Sequence, residues 1–508
     1  MKLPQYLDNG TEYNSARIAS YEEDKQLFLG NAFEAFNISQ WGYFKKYNPK
    51  NPQLSYNSYN WFGLMSKALA DLIYLNPPIF EFKNEANTAW FKQWAEDIDF
   101  DRKSYEGVLS NSYLGDAVFK IIKRGEIVDV IQIDPSIWFP EFDLSNPSGR
   151  AKSHTLKYSK KIDEKEYYLF ERHEAGKITY SSYVVEGEEY NPISFRNAWD
   201  SEVKSMAVDG YKSTDTELVF NTNCSEPLIV HIPNFSLPDS YFGLSDYTVS
   251  IKSKVFAYNN NATRVEAVLA KFADPKLVVP NAMIEGAITE LRGNKKNTQE
   301  IGLLDDSTYG QNLANNFNQS MLAEMILNKS IYGIPADGSQ IEPKALVWNA
   351  DLTSSFKQME TLKMDLMQEG EISPILLDPS LGAGATGIAV KRLMQITLNK
   401  AQRKIMYLKS GLKELVYTAL ELLGKTGEYP SITFQPNIID DIAEIIANNQ
   451  LKLDMGVQSK VGAIEEIYNL DKDQAQTKYQ TIQDETAQNI ATFNPPLLES
   501  QTNDVENA

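Results

Sequence analysis

Between Leu244 and Phe272 the chain has neither glycine nor proline, and apolar residues return at steps of three and four: Leu244, Tyr247, Ile251, Val255, Tyr258, Ala262, Val265, Leu269 and Phe272. That spacing approaches a heptad seam and predicts one uninterrupted helix. At a rise of about 1.5 Å per residue, its 29 residues make a rod of about 43 Å. Asp274-Pro275 ends it. A second rod is predicted from Asp351 to Glu369, with Leu352, Phe356, Met359, Leu362 and Leu366 on one face, and Gly370 closes it. The insert between the rods has strand-like LVVP and ALVW at its ends and a predicted helix around Asn315 to Tyr332. A long helix with a single apolar face needs other elements on its sides.

The rest of the chain reads as α+β and helix-rich. Residues 1–60 carry Tyr, Asn and Trp with little periodicity and predict irregular chain anchored by aromatic side chains. From Trp61 the stripe Leu64, Ala68, Leu72, Leu75 predicts a helix, stopped by Pro77-Pro78 ahead of the short strand IFEF. Helices are expected at Trp90 to Asp97 and Tyr105 to Leu114, followed by an antiparallel hairpin of AVFKIIK and IVDVIQI around Arg124-Gly125-Glu126. HTLKYSK, EYYLFERH and KITYSSYVV predict further strands, so residues 1–240 form an α+β unit. At the other end, a helix is predicted from Ile388 to Leu423. Its first 26 residues hold seven cations and no acid. The last 79 residues hold thirteen acids against four lysines, so nearly half of the net charge of -19 lies there.

Composition narrows the function. The 508 residues suit two to four domains, and a lone Cys224 excludes an intrachain disulfide and paired-cysteine metal sites. Neither a secretory h-region nor a membrane-spanning run is visible, so a reducing compartment is expected and no membrane partner. A charge of -19 argues against wrapping nucleic acid on a basic surface. The three histidines, His154, His173 and His231, all fall in strand-like segments and are read as structural. Gly382, Gly384 and Gly387 spell G-x-G-x-x-G before a helix, the pattern of a dinucleotide loop. Asp378-Pro379 interrupts the strand that should lead into it, and no acid follows between 388 and 413, so residues 378–387 are read as a mobile small-residue loop. No catalytic, metal or cofactor motif is found. The acidic pairs Asp305-Asp306 and Asp440-Asp441 are read as solvated charge.

Rod, insert, rod, small-residue loop and long helix, in that order, resemble the portal proteins of tailed double-stranded DNA bacteriophages, of the siphophage type of about 500 residues. The resemblance runs from Leu64 to Glu485. SKALADLIYLNPPIFEF looks like the family's early wing helix, and Gly115-Asp116-Ala117-Val118-Phe119-Lys120 with Ile133-Asp134-Pro135 looks like its hairpin. Gly243-Leu244-Ser245-Asp246 resembles the start of the first stem helix, Ala385-Thr386-Gly387-Ile388-Ala389-Val390-Lys391 the run after the tunnel loop, and Gly456-Val457-Gln458-Ser459 the crown turn. Lys460-Val461 departs from the family, which often has an acid and a threonine there.

The resemblance implies a non-enzymatic, cofactor-free head-tail connector at one capsid vertex of the virion, assembled in the host cytoplasm as a ring of about twelve copies. It implies a wing (1–240), first stem helix (241–273), clip (274–350), second stem helix (351–372), tunnel loop (373–387), long basic wing helix (388–430), crown (431–492) and acidic tail (493–508). Implied partners are double-stranded DNA without sequence preference, the terminase large subunit, a head-tail adaptor, and the major capsid and scaffold proteins. Tyr247, Ile251, Val255, Tyr258, Val265 and Leu269 are the expected stem contacts between copies, and Lys357 and Lys363 are candidate channel cations. Arg292, Lys295 and Lys296 are candidate clip contacts. Asp378, Pro379, Ser380, Leu381, Gly382, Ala383, Gly384, Ala385, Thr386 and Gly387 are the expected loop in the channel. Two alternatives stay open on the sequence: a nucleotide-binding oxidoreductase using Gly382 to Gly387, and another ring-shaped capsid or tail connector.

Overall fold

The computed structural model describes residues 12–41, 45–46, 55–125, 127–142, 151–187, 189–205, 212–238, 240–273, 276–280, 331–334, 344–346, 352–377, 380, 387–425, 427–435, 442–468, 470 and 472–493. It opens with α1 (Glu12–Phe28) and the short α2 (Ala32–Ala35). Helix α1 corrects the reading of residues 1–60 as irregular. Its sequence has no apolar stripe because its buried face is largely polar: Asn14, Tyr21, Asp24 and Leu27, at steps of seven, three and three, all lie on the inner side.

Helix α3 (Trp61–Tyr74) starts at Asn60, whose Oδ1 accepts from the Gly63 amide at 2.8 Å, and it buries Phe62, Met65, Leu69, Leu72 and Ile73. After β1 (Ile79–Glu81) come α4 (Glu85–Asp97) and α5 (Phe100–Leu114), the latter closed by Gly115 at φ +86°. The predicted hairpin is β2 (Asp116–Arg124) with β3 (Ile127–Ile133), in register from Val118 opposite Ile133 to Arg124 opposite Ile127. Strands β4 (Trp138–Glu141), β5 (Ser153–Ile162), β6 (Lys165–Glu174), β7 (Lys177–Glu186) and β8 (Glu189–Pro192) form an antiparallel sheet in sequence order. Helix α6 (Asp200–Ser205) precedes β9 (Glu217–Asn221), which pairs with the first half of β7. Strand β10 (Ile229–Pro233) then lies beside β2.

The first rod is α7 (Val249–Ala273), beginning five residues after Leu244. The insert starts with β11 (Lys276–Pro280), which pairs parallel with β12 (Ile331–Ile334) and antiparallel with β13 (Lys344–Leu346). Ile331 and Tyr332, expected at the end of a helix, are therefore in a strand; the rest of that expected helix lies outside the described residues. The second rod is α8 (Thr353–Glu369), followed by α9 (Pro374–Leu377), α10 (Gly387–Leu393) and α11 (Gln395–Leu422). The single helix expected from Ile388 is thus broken at Met394, whose side chain turns into the core while Leu393 and Ile396 face out. Strand β14 (Ser431–Thr433) pairs with β1 and buries Ile432, so the chain returns to the N-terminal unit before α12 (Ile442–Asp454), α13 (Lys460–Tyr468) and α14 (Lys472–Phe493).

The largest core sets Leu408, Leu412, Leu415, Val416 and Ala419 of α11 against Phe119 and Ile121 of β2, Val230 and Ile232 of β10, and Phe91 and Trp94 of α4. A second core joins the rods to the N-terminal unit, with Leu27, Phe62, Met65, Tyr247, Ile251, Val255, Leu366 and Met367 in contact. Among the described residues no helix is long and apolar enough to cross a membrane.

Candidate functional site

The two rods run antiparallel. Lys254 Nζ of α7 meets Glu369 Oε1 near the end of α8 at 2.5 Å, while Asn261, two turns further along α7, donates to Ser355 O near the start of α8 at 3.2 Å. Their shared foot, where α7 begins and α8 ends, is held by a network of polar contacts.

Two glycines bring the chain together there. Gly115 ends α5, Gly243 precedes α7, and a Cβ on Gly243 would stand 2.0 Å from the Gly115 carbonyl oxygen. Only two bare backbones can approach so closely. The crossing presents the Gly243 amide to Asp116 Oδ1 at 2.8 Å, and the same oxygen lies 2.6 Å from His231 Nε2. Tyr21 Oη of α1 donates to Asp116 Oδ2 at 2.5 Å. Asn234 donates its backbone N–H to Gly115 O at 2.7 Å and its side-chain amide to Leu244 O at 2.8 Å.

Asp246 lies one turn before α7 and gathers charge from α11. Its Oδ2 is 2.7 Å from Lys404 Nζ and its Oδ1 is 3.1 Å from Lys400 Nζ. Ser112 Oγ of α5 donates to Oδ2 at 2.7 Å and lies 2.8 Å from Ser66 Oγ, which is 2.8 Å from Tyr247 Oη. Burial alone would raise the Asp246 carboxyl, but Lys400 and Lys404 hold it well below the usual carboxylate range. At the other foot, Lys400 Nζ donates to Gly370 O at 2.9 Å, Arg403 pairs with Glu371, and the Ser373 amide donates to Thr397 Oγ1 at 2.7 Å. Lys252 of α7 also reaches back to α1, with Asp24 Oδ1 at 2.6 Å. Burial lifts the Asp24 carboxyl to about 6 in spite of that lysine. The site therefore holds two helices at a set position against the body by buried ion pairs and backbone crossings. Its chemistry is mechanical.

The three histidines lie in β5, β6 and β10 and are committed to packing contacts. Trp138 Nε1 donates to His154 Nδ1 at 3.1 Å, which puts the His154 proton on Nε2. Burial pushes His154 down to about 3, with His231 and His173 adding to the effect. His173 Nε2 lies 3.0 Å from the buried Glu171, which also meets Lys120 at 2.5 Å.

The expected site residues are distributed unevenly. Tyr247, Ile251 and Val255, expected as contacts between copies, are buried inside their own subunit against α3 and α8. The apolar stripe is covered by the chain's own second rod and by Phe62 and Met65. Tyr258 rests edge-on against Tyr59 and Trp61 at 5.3 and 5.5 Å, Val265 is buried, and Leu269 is 52% exposed. Phe356, placed on the inner face by the sequence, is also 52% exposed. Lys357 is exposed on α8 and Lys363 half-buried. Ser380 is exposed, and Gly387 is the first residue of α10. Asp378, Pro379, Leu381, Gly382, Ala383, Gly384, Ala385 and Thr386 lie outside the described residues, as do Arg292, Lys295 and Lys296. Sequence reasoning missed the foot itself. Asp116 and Asp246 stood inside quoted motifs and Lys400 and Lys404 were counted as cations, but nothing in the linear pattern signalled that they meet. Among the described residues no group of three or more His, Cys, Asp or Glu side chains could hold a metal ion.

Residues 11–490 match the family described as Phage portal protein, SPP1 Gp6-like. No curated protein matches the chain. The match covers nearly the whole chain and gives no support to an oxidoreductase. The chain belongs to the SPP1-like phage portal protein family, and is a structural, non-catalytic head-tail connector of the virion that interacts with other virion components.

Proposed function

We propose that this portal protein closes into a ring of about twelve copies at one capsid vertex and conducts double-stranded DNA through its centre. In this reading α7 and α8 are the stem, residues 274–350 the clip, the α+β body with α11 the wing, and α12 to α14 the crown. The observation that carries it is the antiparallel rod pair whose connecting insert begins in β11 and ends in β13, neighbours in one sheet. Such an insert leaves and returns at one end of a rigid hairpin, as a clip at the end of a stem would.

Subunit contacts then fall on the residues that the lone chain leaves in water rather than on Ile251 and Val255. Val249 is 84% exposed at the start of α7, Phe356 and Met364 are each 52% exposed on α8, and Ile396 and Met406 are exposed on α11. Each copy carries a charge of -19, so a ring would repel a duplex bearing one charge per roughly 1.7 Å and keep DNA from adhering. Lys357 and Lys363 offer weak attraction along the way. Residues 378–387 form the tunnel loop, touching phosphates without reading bases. The terminase large subunit docks at the clip during packaging and the adaptor afterwards, with Arg292, Lys295 and Lys296 among the contacts, and the capsid and scaffold proteins surround the wing. Charge reversal at those three positions tests the docking: motor binding should weaken while rings stay intact, and undiminished packaging would remove them from the interface.

A further inference from the structure

At the foot of the rod pair a side chain of the body helix α11 reaches both rods. Lys400 sits in the second turn of α11 with its Nζ 3.1 Å from Asp246 Oδ1, just before α7, and 2.9 Å from Gly370 O, just after α8. Its neighbours on the next turn each serve one side: Lys404 bonds Asp246 and Asn234, and Arg403 pairs with Glu371. Tight backbone also holds both feet: a Cβ at Gly243 would stand 2.0 Å from Gly115 O, and Glu371 is held at φ +54°, a conformation L residues rarely take.

We propose that Lys400 is a positioning residue, a single ammonium that ties the start of the first rod to the end of the second and so sets the angle at which the pair leaves the body. One charge can do this because its two acceptors belong to different helices and face the same side of α11. With Lys400 removed, Asp246 keeps Lys404, Glu371 keeps Arg403 and Lys254 still pairs with Glu369 between the rods, so neither foot is stranded, but α11 no longer holds both feet through one side chain. Its consequence for the channel rests on the stem reading of the preceding section; the tie itself does not.

Hydrogen exchange on the full-length protein separates the two. The Leu244 and Asp246 amides bond Phe235 O and Ser112 O at 2.7 and 2.9 Å, and the Gly370 and Ile372 amides bond Leu366 O and Met367 O, both at 2.8 Å. Lys400→Met should speed exchange at both sets by roughly tenfold or more, the scale expected for losing a hydrogen bond from a charged group. Lys404→Met should act at the Asp246 side alone and Arg403→Gln at the Glu371 side alone. Lys400→Arg, which can still donate to both acceptors, should restore wild-type exchange. Faster exchange at only one foot in Lys400→Met, or no rescue by arginine, overturns the tie, and Lys400→Gln carries the same test if the methionine variant is insoluble. Ring imaging and DNA filling of Lys400→Met are read separately: intact rings with reduced filling extend the tie to the channel, and normal filling confines it to the joint. Absence of rings in the wild type would sink the stem reading while leaving the exchange result decisive.

Discussion

Replacing Gly243 with alanine puts a Cβ 2.0 Å from Gly115 O and 2.8 Å from the Asn234 amide nitrogen. Both are backbone atoms, one ending α5 and one following β10, and neither can swing away as a side-chain tip would. Relief requires moving α5 off the start of α7, which would also lengthen the Gly243 N–H to Asp116 contact of 2.8 Å. The expected loss is about 3 kcal/mol or more, the upper end for overpacking. Two other glycines separate sterics from backbone strain. Gly115→Ala meets Gly243 O and Ser245 N at 2.7 Å and also sits at φ +86°, so clash and left-handed strain add to about 4 kcal/mol. Gly125→Ala, at φ +64° with open space around it, suffers strain alone and should lose about 1 kcal/mol. Urea unfolding followed by far-ultraviolet circular dichroism orders the three. A Gly243→Ala protein within about 1 kcal/mol of Gly125→Ala would refute the idea that the two backbones must cross bare.

Phe356→Asp with Met364→Asp should yield folded single subunits in mass photometry, because both side chains face water in the lone chain; persistent rings would move the contact elsewhere. Ile251→Asp with Val255→Asp should instead destabilise each subunit by about 3 kcal/mol or more, since both sites are closed to solvent, and a well-folded monomer from that variant would contradict the packing. His154 has a folded value of about 3 against 6.5, so the unfolded chain takes the proton first and stability falls as pH drops below 6.5. Between pH 7 and pH 5 that loss is about 2 kcal/mol, and His154→Asn, whose amide oxygen can still accept from Trp138, should remove it; an unchanged pH slope would show that His154 is not the titrating group. Gly382→Val with Gly384→Val should leave rings intact and lower DNA filling, whereas normal filling would take the loop out of the mechanism.

Elements with strong period were legible. The hairpin of β2 and β3 and both rods lie where alternation or three-four spacing puts them, because their buried faces are largely apolar, and strands β5 to β7 lie where strands were expected although Ser153, His154, Thr155, Lys157, Glu171 and His173 are buried in them. Helix α1 was not legible, since Asn14 is buried and Tyr21 and Asp24 are buried against Asp116 and Lys252, which leaves no apolar stripe in the sequence. The stripe on α7 was visible, but what covers it was not: sequence period tells that a face is apolar, and whether the cover comes from Phe62 and Leu366 of the same chain or from a neighbour is a matter of tertiary path. The same limit hid the foot. Gly115 and Gly243 stood in two separate motifs, and only the folded chain puts one carbonyl against the other.

Single-particle images of the purified full-length protein decide whether the chain builds a channel. Closed rings of about twelve copies around an open centre are expected, with the antiparallel pair α7 and α8 of every copy running beside it and Phe356 and Met364 against the next subunit. Particles that remain single chains at micromolar concentration, or rings in which that helix pair lies on the outside away from the channel, would contradict this.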